Sequence, residues 1–244
     1  MLTVIIPCFN EEERLLSSYS EVKKTLELTN ITDYEIIIVD DGSTDQSFEI
    51  ARNISNINLN TSIFKNKKNL GLGYVFFKGV KIASGNYIIY VPSDNSHKSE
   101  ELSKLFCYYN KNYDFVSTFY DRKDRTFLRG IFTSSYTPFL NFLYGLRLPY
   151  YNGLTLYKSD VIKDLKIKNN SFSFQISIFV KILNLNKLNY KFIKTKLVDR
   201  QHGSSAFKMR NSLQVLYYVI INFFMSLNYR ILKFFNSKKN KRDN

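Results

Sequence analysis

The chain has 244 residues, enough to bury one sizeable α/β core, and its two cysteines exclude a disulfide-stapled scaffold. The net charge of +14 is uneven: residues 1–121 carry 12 basic and 16 acidic side chains, and residues 122–244 carry 23 and 5. The second half therefore predicts a cationic surface for a nucleic acid, an anionic membrane or a phosphorylated substrate.

Apolar strands alternate with helices in the first half. Because strands joined through helices form right-handed crossovers, this pattern predicts an α/β fold with a mostly parallel sheet. The chain enters its first strand without a basic leader, so we expect no signal peptide. Asn10 is predicted to cap the first helix, and Ser43 or Thr44 the second. The predicted strands are 2–6, 34–39, 61–65, 87–91 and 114–120.

Polar or acidic residues follow three of these strands: Asn10-Glu11, Asp40-Asp41 and Asp94. Each cluster alone is most simply a turn, since Asn, Asp, Ser and Pro all favour turns. Ligands of open α/β sheets, however, gather beyond the carboxyl ends of the strands. Three clusters at one predicted edge therefore indicate a nucleotide or metal site.

The second half begins with an apolar helix over 127–146 that Pro138 is predicted to break or kink. A strand over 153–158, a helix over 172–185, a strand over 190–198 and a polar loop complete this region. No nucleic-acid recognition motif is found in it, so we expect no nucleic-acid partner.

A long apolar helix is predicted over 213–235, with its polar residues on one narrow stripe. Asn222, Asn228 and Arg230 interrupt it, whereas a spanning helix needs about 20 apolar residues without charge. We therefore expect it to lie in the membrane interface, with the basic residues after it on anionic headgroups. The alternative is a helix packed against its own domain or a dimer partner. The stripe consists of Gln214, Asn222, Ser226, Arg230 and Lys233.

Four motifs occur in order: VIIPCFNEE from Val4, VDDGSTD from Val39, NLGLG from Asn69, and the strand that leads to Asp94. Together they resemble the inverting family 2 glycosyltransferases of the GT-A fold. The later part is similar to the polyprenol-phosphate (dolichol-phosphate-type) mannosyl- and glucosyltransferases. This second likeness is carried by Arg122, Arg129, Asn152-Gly153 and the loop Arg200, Gly203 and Ser205.

The resemblance implies a role for each matching residue. Asp40 would bind the base, Asp41 and Gly42 would shape the turn, and Asp94 would bind Mg²⁺ or Mn²⁺ on the donor diphosphate. Ser96 stands where a further metal ligand is often found. The implied donor site comprises Pro7, Phe9, Glu11, Asp40, Asp41, Gly42, Asp94, Arg200 and Ser205, and the implied catalytic residues are Asp94, Arg122, Arg129 and Arg200.

The sequence departs from the family pattern in its carboxylates. Pro92 replaces the first acid of the usual Asp-x-Asp motif, and the helix in which relatives often carry an acid reads Phe174-Gln175-Ile176-Ser177 here. A sugar hydroxyl acceptor needs a general base, whereas a phosphate monoester is already an anion and needs cations to hold it. The missing acids, together with Arg122, Arg129 and Arg200, therefore favour a lipid phosphate acceptor. An exposed charged loop explains Arg122 and Arg129 equally well.

We therefore expect a bacterial-type transferase domain over 1–205 and an amphipathic membrane-interface helix with a basic tail over 206–244. The enzyme would move a sugar from a UDP- or GDP-sugar to a polyprenyl phosphate, peripherally bound at the cytoplasmic side of the cell membrane. A saccharide hydroxyl acceptor and a non-catalytic membrane-bound relative stay open as alternatives, as does a homo-oligomer.

Overall fold

The computed structural model describes residues 1–120, 127–185, 188–196 and 209–240. Its strands are β1 (Leu2–Cys8), β2 (Tyr34–Asp40), β3 (Thr61–Lys65), β4 (Tyr87–Tyr90), β5 (Phe115–Tyr120), β6 (Thr155–Lys158) and β7 (Tyr190–Thr195). Its helices are α1 (Leu15–Leu28), α2 (Ser47–Ile57), α3 (Leu72–Ile82), α4 (Ser99–Phe106), α5 (Phe127–Tyr144), α6 (Ser159–Ile162), α7 (Phe174–Leu185) and α8 (Met209–Asn240).

The described strands form one sheet in the order β3-β2-β1-β4-β6-β5-β7. Only β6 runs antiparallel to its neighbours, so the predicted mostly parallel sheet is confirmed. All seven residues of β1 are buried, as expected for a central strand covered on both faces. Because β4 and β5 both oppose β6, they run the same way. The carboxyl ends of β2, β1, β4 and β5 therefore lie at one edge of the sheet.

The predicted interruption at Pro138 is wrong as a break, because α5 continues from Phe127 to Tyr144 with Pro138 inside it. Leu140 and Tyr144 are fully buried on its inner face. Helices in proteins are stabilised mainly by such packing, which here outweighs the lost hydrogen bond of the proline.

Helix α8 packs on α5 and α7 through the side that carries part of its polar stripe. Asn222 and Ser226 are buried there, and Ser226 Oγ donates to the carbonyl of Tyr144 at 2.8 Å. In return, Tyr144 Oη donates to the carbonyl of Val219 at 3.3 Å. The other stripe residues, Gln214, Arg230 and Lys233, are exposed.

The opposite side of α8 is apolar and exposed. Phe224, for example, is 62% exposed, and nine large apolar residues of this helix are at least 39% exposed. An ordinary surface helix does the reverse and turns its apolar side to the core. By length and composition, Leu213–Lys233 is also the one segment in the described helices that could cross a membrane. The exposed set is Leu213, Leu216, Tyr217, Ile220, Ile221, Phe224, Leu227, Ile231 and Leu232.

Candidate functional site

The polar clusters predicted from the sequence follow adjacent strand ends. The register pairs Cys8 of β1 with Asp40 of β2. On the other side of β1, Ser93 Oγ donates to the carbonyl of Pro7 at 2.8 Å, which ties the segment after β4 to the end of β1. The clusters after β1, β2 and β4 are thereby held at one edge of the sheet, where open α/β sheets bind their ligands.

The loops after β1 and β2 are bonded to each other, which corrects the predicted helix caps. Asn10 adopts a φ of +53°, and its Oδ1 accepts from the Thr44 N–H at 2.9 Å. Ser43 Oγ accepts from the Asn10 N–H at 3.0 Å. Neither Asn10 nor Thr44 caps a helix, because α1 begins only at Leu15 and α2 at Ser47. These side chains instead fix the two loops that flank the site.

Three residues of the implied donor site lie at the end of β1. Pro7 is buried within the strand, whereas Phe9 is 42% exposed just beyond it. Glu11 Oε2 lies 3.2 Å from Arg14 Nη1. Burial, reinforced by the Asp40 and Glu11 carboxylates, raises the pKa of the neighbouring Cys8 thiol to about 12, which disfavours the thiolate.

Asp40 has an unused acceptor atom inside the protein. The side chain is 0% exposed, and its Oδ2 accepts from the Ser43 N–H at 3.3 Å. In the described part of the chain, its buried Oδ1 has no hydrogen-bond partner. Native proteins rarely leave a buried acceptor unpaired, because its desolvation is not compensated. The Oδ1 of Asp40 is therefore an acceptor at this edge that the described protein groups leave unused.

Asp41 is fully occupied by the protein. Its Oδ1 accepts from Asn66 Nδ2 at 2.7 Å and from the Leu70 N–H at 3.0 Å, and its Oδ2 accepts from the Gly71 N–H at 2.8 Å. The carboxylate thus fastens the start of the glycine-rich loop to the end of β2. This arrangement agrees with a turn-shaping role rather than with direct contact to a ligand.

Replacing Asp41 by asparagine is expected to cost about 2–3 kcal/mol of unfolding free energy. Whichever way the new amide is turned, its NH₂ group faces a backbone N–H donor. Urea denaturation measures the loss. The matched control is Asp33→Asn at an exposed terminal ion pair, where we expect less than about 0.5 kcal/mol. Equal midpoints for the two variants would contradict the clamp.

Gly42 is required by geometry. Its φ is +75°, and a Cβ placed on it would lie 2.7 Å from the backbone of Lys68. A side chain would therefore force the turn after Asp41 away from the loop beside it.

Asp94 and Ser96 lie together after β4. Asp94 Oδ1 accepts from the Ser96 N–H at 3.0 Å and from Ser96 Oγ at 2.5 Å. Both side chains are partly buried. The two residues proposed as metal ligands are therefore adjacent in space, and the turn that joins them fixes the carboxylate at the sheet edge.

An aromatic group lies at the end of β5 on the same edge. The Tyr120 ring centroid is 5.5 Å from that of Tyr150 and 6.3 Å from that of His97. Arg122, Arg200 and Ser205 lie outside the described residues. Arg129 lies in the first turn of α5, and its side chain is outside the described part of the chain as well.

A family model, that of glycosyl transferase family 2, matches residues 3–166. This chain belongs to glycosyl transferase family 2. The family 2 resemblance drawn from the four motifs is confirmed, and so is the α/β fold with a mostly parallel sheet flanked by helices.

Two curated relatives of this chain are a named transferase and an uncharacterised protein. A dolichol-phosphate mannosyltransferase of Pyrococcus furiosus is 34% identical over 43% of this chain and 28% of its own length. An uncharacterised protein of Methanocaldococcus jannaschii is 27% identical over 84% of this chain and 90% of its own length. The chain spans between 28% and 53% of the length of the first three curated relatives it matches.

Among solved structures, the fold is similar to glucosyl-3-phosphoglycerate synthase from Mycobacterium tuberculosis in complex with Mn²⁺, UDP-glucose and phosphoglyceric acid. The TM-score is 0.68 at 18% identity, over 91% of this chain and 79% of that one. At this identity the likeness establishes the fold of the family 2 domain.

The described part of the family 2 site contains few negatively charged side chains that could bind a cation. Among the described residues, no group of three His, Cys, Asp or Glu side chains is placed to hold a metal ion. One carboxylate with a neighbouring hydroxyl still fits Mg²⁺, which usually binds one or two carboxylates together with substrate phosphates and waters. The residues therefore suit a cation that arrives with a nucleoside diphosphate better than a resident ion.

Two features of the family 2 site were missed in the sequence. Asn66, which braces Asp41, lies after a short, weak strand and carries no local signal. Tyr120 ends β5, which runs the same way as β4. Ligands of open α/β sheets gather at the carboxyl ends of the strands, and Tyr120 lies at such an end.

Proposed function

We propose that this family 2 protein transfers a sugar from a nucleoside-diphosphate donor to a polyprenyl phosphate, with inversion, at the cytoplasmic side of the membrane. The proposal is carried by one observation: the unpaired, buried Oδ1 of Asp40 lies at the same sheet edge as the Asp94 turn. The base and the diphosphate of a donor need separate binding positions. Asp40 and the Asp94 turn offer two, one on either side of β1.

The donor half uses Asp40 and the exposed ring of Phe9. A carboxylate oxygen can only accept, so Asp40 Oδ1 suits a base that presents a ring N–H, as uracil and guanine do. Phe9 offers an aromatic face for stacking next to it. Asp41 and Gly42 contribute by holding the turn and the glycine-rich loop in place.

Asp40→Asn is expected to weaken UDP or GDP binding about tenfold or more, because its amide no longer supplies a charged acceptor. Calorimetry with each nucleotide and Mn²⁺ measures the change. Asp33→Asn, which alters an exposed carboxylate far from the carboxyl ends of the strands, is the control and should bind like the wild type. Equal affinities of D40N and wild type for the preferred nucleotide would contradict the base assignment.

The reaction proposed is one displacement. An oxygen of the acceptor phosphate bonds to the anomeric carbon while the bond from that carbon to the diphosphate breaks, and the pair of electrons leaves with the diphosphate. A divalent cation held by Asp94, Ser96 and the donor phosphates would neutralise the charge on the leaving group. Asp94 is preorganised for this by its two bonds from Ser96.

For the acceptor half, the resemblance implies an acid near the start of α7, where this chain reads Phe174-Gln175-Ile176-Ser177. Gln175 cannot take up a proton, which supports an acceptor that is already an anion. Cations must then hold it, and we assign this role to Arg122, Arg129 and Arg200. Arg122 follows Tyr120, the last residue of β5, by two residues in the sequence.

The membrane assignment rests on α8. Asn222 and Ser226 on its polar side are buried against α5 and α7, and its apolar side is largely exposed in the described part of the chain. A bilayer interface would cover that side, and Lys238 and Lys239 at the end of the helix would meet anionic headgroups. Residues 1–205 would then form the transferase domain and residues 206–244 the membrane-interface segment.

Transfer of radiolabel from UDP- and GDP-sugars tests the proposal, with polyprenyl phosphate and saccharide acceptors compared with and without chelator. We expect chelator-sensitive label in polyprenyl phosphate. Label in saccharide alone would mean a hydroxyl acceptor. Failure to bind either nucleotide would mean a non-catalytic relative.

A further inference from the structure

Gln175 lies near the start of α7, under the strands that lead to the site. It is 1% exposed, and both ends of its amide are bonded. Nε2 donates to the carbonyl of Gly153 at 2.7 Å and approaches Thr155 Oγ1 at 3.2 Å, while Oε1 accepts from Tyr90 Oη at 3.2 Å. One side chain thus joins α7 to β4 and to the turn before β6.

Chemistry fixes the orientation of this amide. The carbonyl of Gly153 can only accept, so the NH₂ group must face it, and Oε1 is left for Tyr90. Burial raises the pKa of Tyr90 well above its ordinary value, with Tyr120 adding to the effect, so its hydroxyl stays protonated and can donate. A carboxylate in place of the amide would repel the Gly153 carbonyl.

The bond from Gln175 Nε2 holds Gly153 at a place where the backbone packs tightly against β5. A Cβ placed on it would lie 1.8 Å from the carbonyl of Thr118, so its backbone lies against β5, two residues before Tyr120. The turn Asn152-Gly153 carries part of the likeness to polyprenol-phosphate transferases. A shift of Gly153 would move this turn relative to the end of β5, where the proposed acceptor site begins.

The donor half is fastened separately. Asp41 holds the Leu70 and Gly71 N–H groups, and the Gly73 N–H donates to the carbonyl of Asn170 at 3.1 Å. None of these bonds involves Gln175. Loss of the Gln175 amide should therefore disturb the turn at Gly153 and leave the Asp41 clamp on the glycine-rich loop in place.

We propose that Gln175 is a positioning residue that sets the Asn152-Gly153 turn and, through it, the binding of the acceptor. This role deepens the proposed function and rests on it, because it assumes that the end of β5 receives the acceptor. A residue that only stabilises the core would behave differently from Gln175, because its loss would affect donor and acceptor kinetics alike.

Two variants each break one side of the amide. Gln175→Glu keeps an oxygen for Tyr90 and removes the donor to Gly153, and we expect the acceptor KM to rise about tenfold or more with the donor KM unchanged. Tyr90→Phe removes the donor to Oε1 and leaves the bond to Gly153, so a smaller rise of about threefold in the same parameter is expected.

Tyr87→Phe is the matched control. Tyr87 lies in the same strand as Tyr90, is likewise 6% exposed, and pairs with Leu2 at the amino end of β1, away from the site. Both KM values of this variant should equal those of the wild type. If Gln175→Glu fails to fold, as a circular dichroism melt would show, the comparison of Tyr90→Phe with Tyr87→Phe decides alone.

Steady-state transfer is measured with a short-chain polyprenyl phosphate at saturating donor, and with varied donor at saturating acceptor. If the wild type uses a saccharide instead, the proposed acceptor is wrong, and the same split measured with that saccharide still tests Gln175. Donor and acceptor KM values that move together, or a Tyr90→Phe variant equal to Tyr87→Phe, would overturn the positioning role. A wild type that transfers to neither acceptor would overturn both proposals.

Discussion

Asp94→Asn is expected to lower the turnover number about a thousandfold, equivalent to roughly 4 kcal/mol of transition-state stabilisation, without unfolding the protein. The asparagine oxygen can still accept both bonds from Ser96, so the turn after β4 should persist. The variant loses only the negative charge of the carboxylate, to which we assign the binding of the cation. Turnover of radiolabelled donor at saturating Mn²⁺ measures the effect.

Ser96→Ala provides the control in the same turn. It removes a hydroxyl and no charge, so we expect at most about a tenfold loss, together with a higher Mn²⁺ requirement. A D94N enzyme that keeps turnover within tenfold of the wild type would show that the carboxylate does not hold the cation, and the metal assignment would be abandoned.

The second large effect concerns the exposed side of α8. Leu216, Ile220 and Phe224 follow one another at intervals of four residues, so they lie on one side of the helix. Changing all three to glutamine is expected to weaken binding to vesicles of anionic phospholipid about a hundredfold or more, because each apolar side chain contributes about 1–2 kcal/mol when it leaves water. Glutamine keeps the helix propensity nearly unchanged.

Ile57 and Leu59 provide the control for this experiment, since they are 82% and 103% exposed at the end of α2 and beyond it. Their replacement by glutamine should leave vesicle binding unchanged. If the triple variant sediments with vesicles like the wild type, the membrane assignment fails. If it instead dissociates from a dimer to a monomer in light scattering, the exposed side of α8 belongs to a second copy.

The central strands β1, β2 and β4 were predictable because each is a short apolar run bounded by turn residues, a signal that needs no knowledge of distant contacts. The placement of Asp40 and Asp94 followed from the rule for parallel strand ends. The caps were not predictable, because the Asn10 side chain bonds to Thr44, which is distant in sequence, and not to its own helix.

The polar stripe on α8 shows the same limit of prediction from the sequence. Periodicity predicts that Asn222 and Ser226 share a side of the helix, but it does not tell what that side faces. The structure buries both against α5 and α7, where Tyr144 supplies the partner of Ser226. The Gln175 contacts were out of reach for a similar reason, because they depend on β6 lying between β4 and β5.

The most direct measurement is the anomalous signal of Mn²⁺ in crystals soaked with the intact nucleotide-sugar or its nucleoside diphosphate. Our account predicts the ion between the diphosphate and the Asp94 carboxylate, with the base N–H directed at Asp40 Oδ1. An ion bound away from Asp94, or a nucleotide bound elsewhere than at the carboxyl ends of β1, β2 and β4, would contradict it.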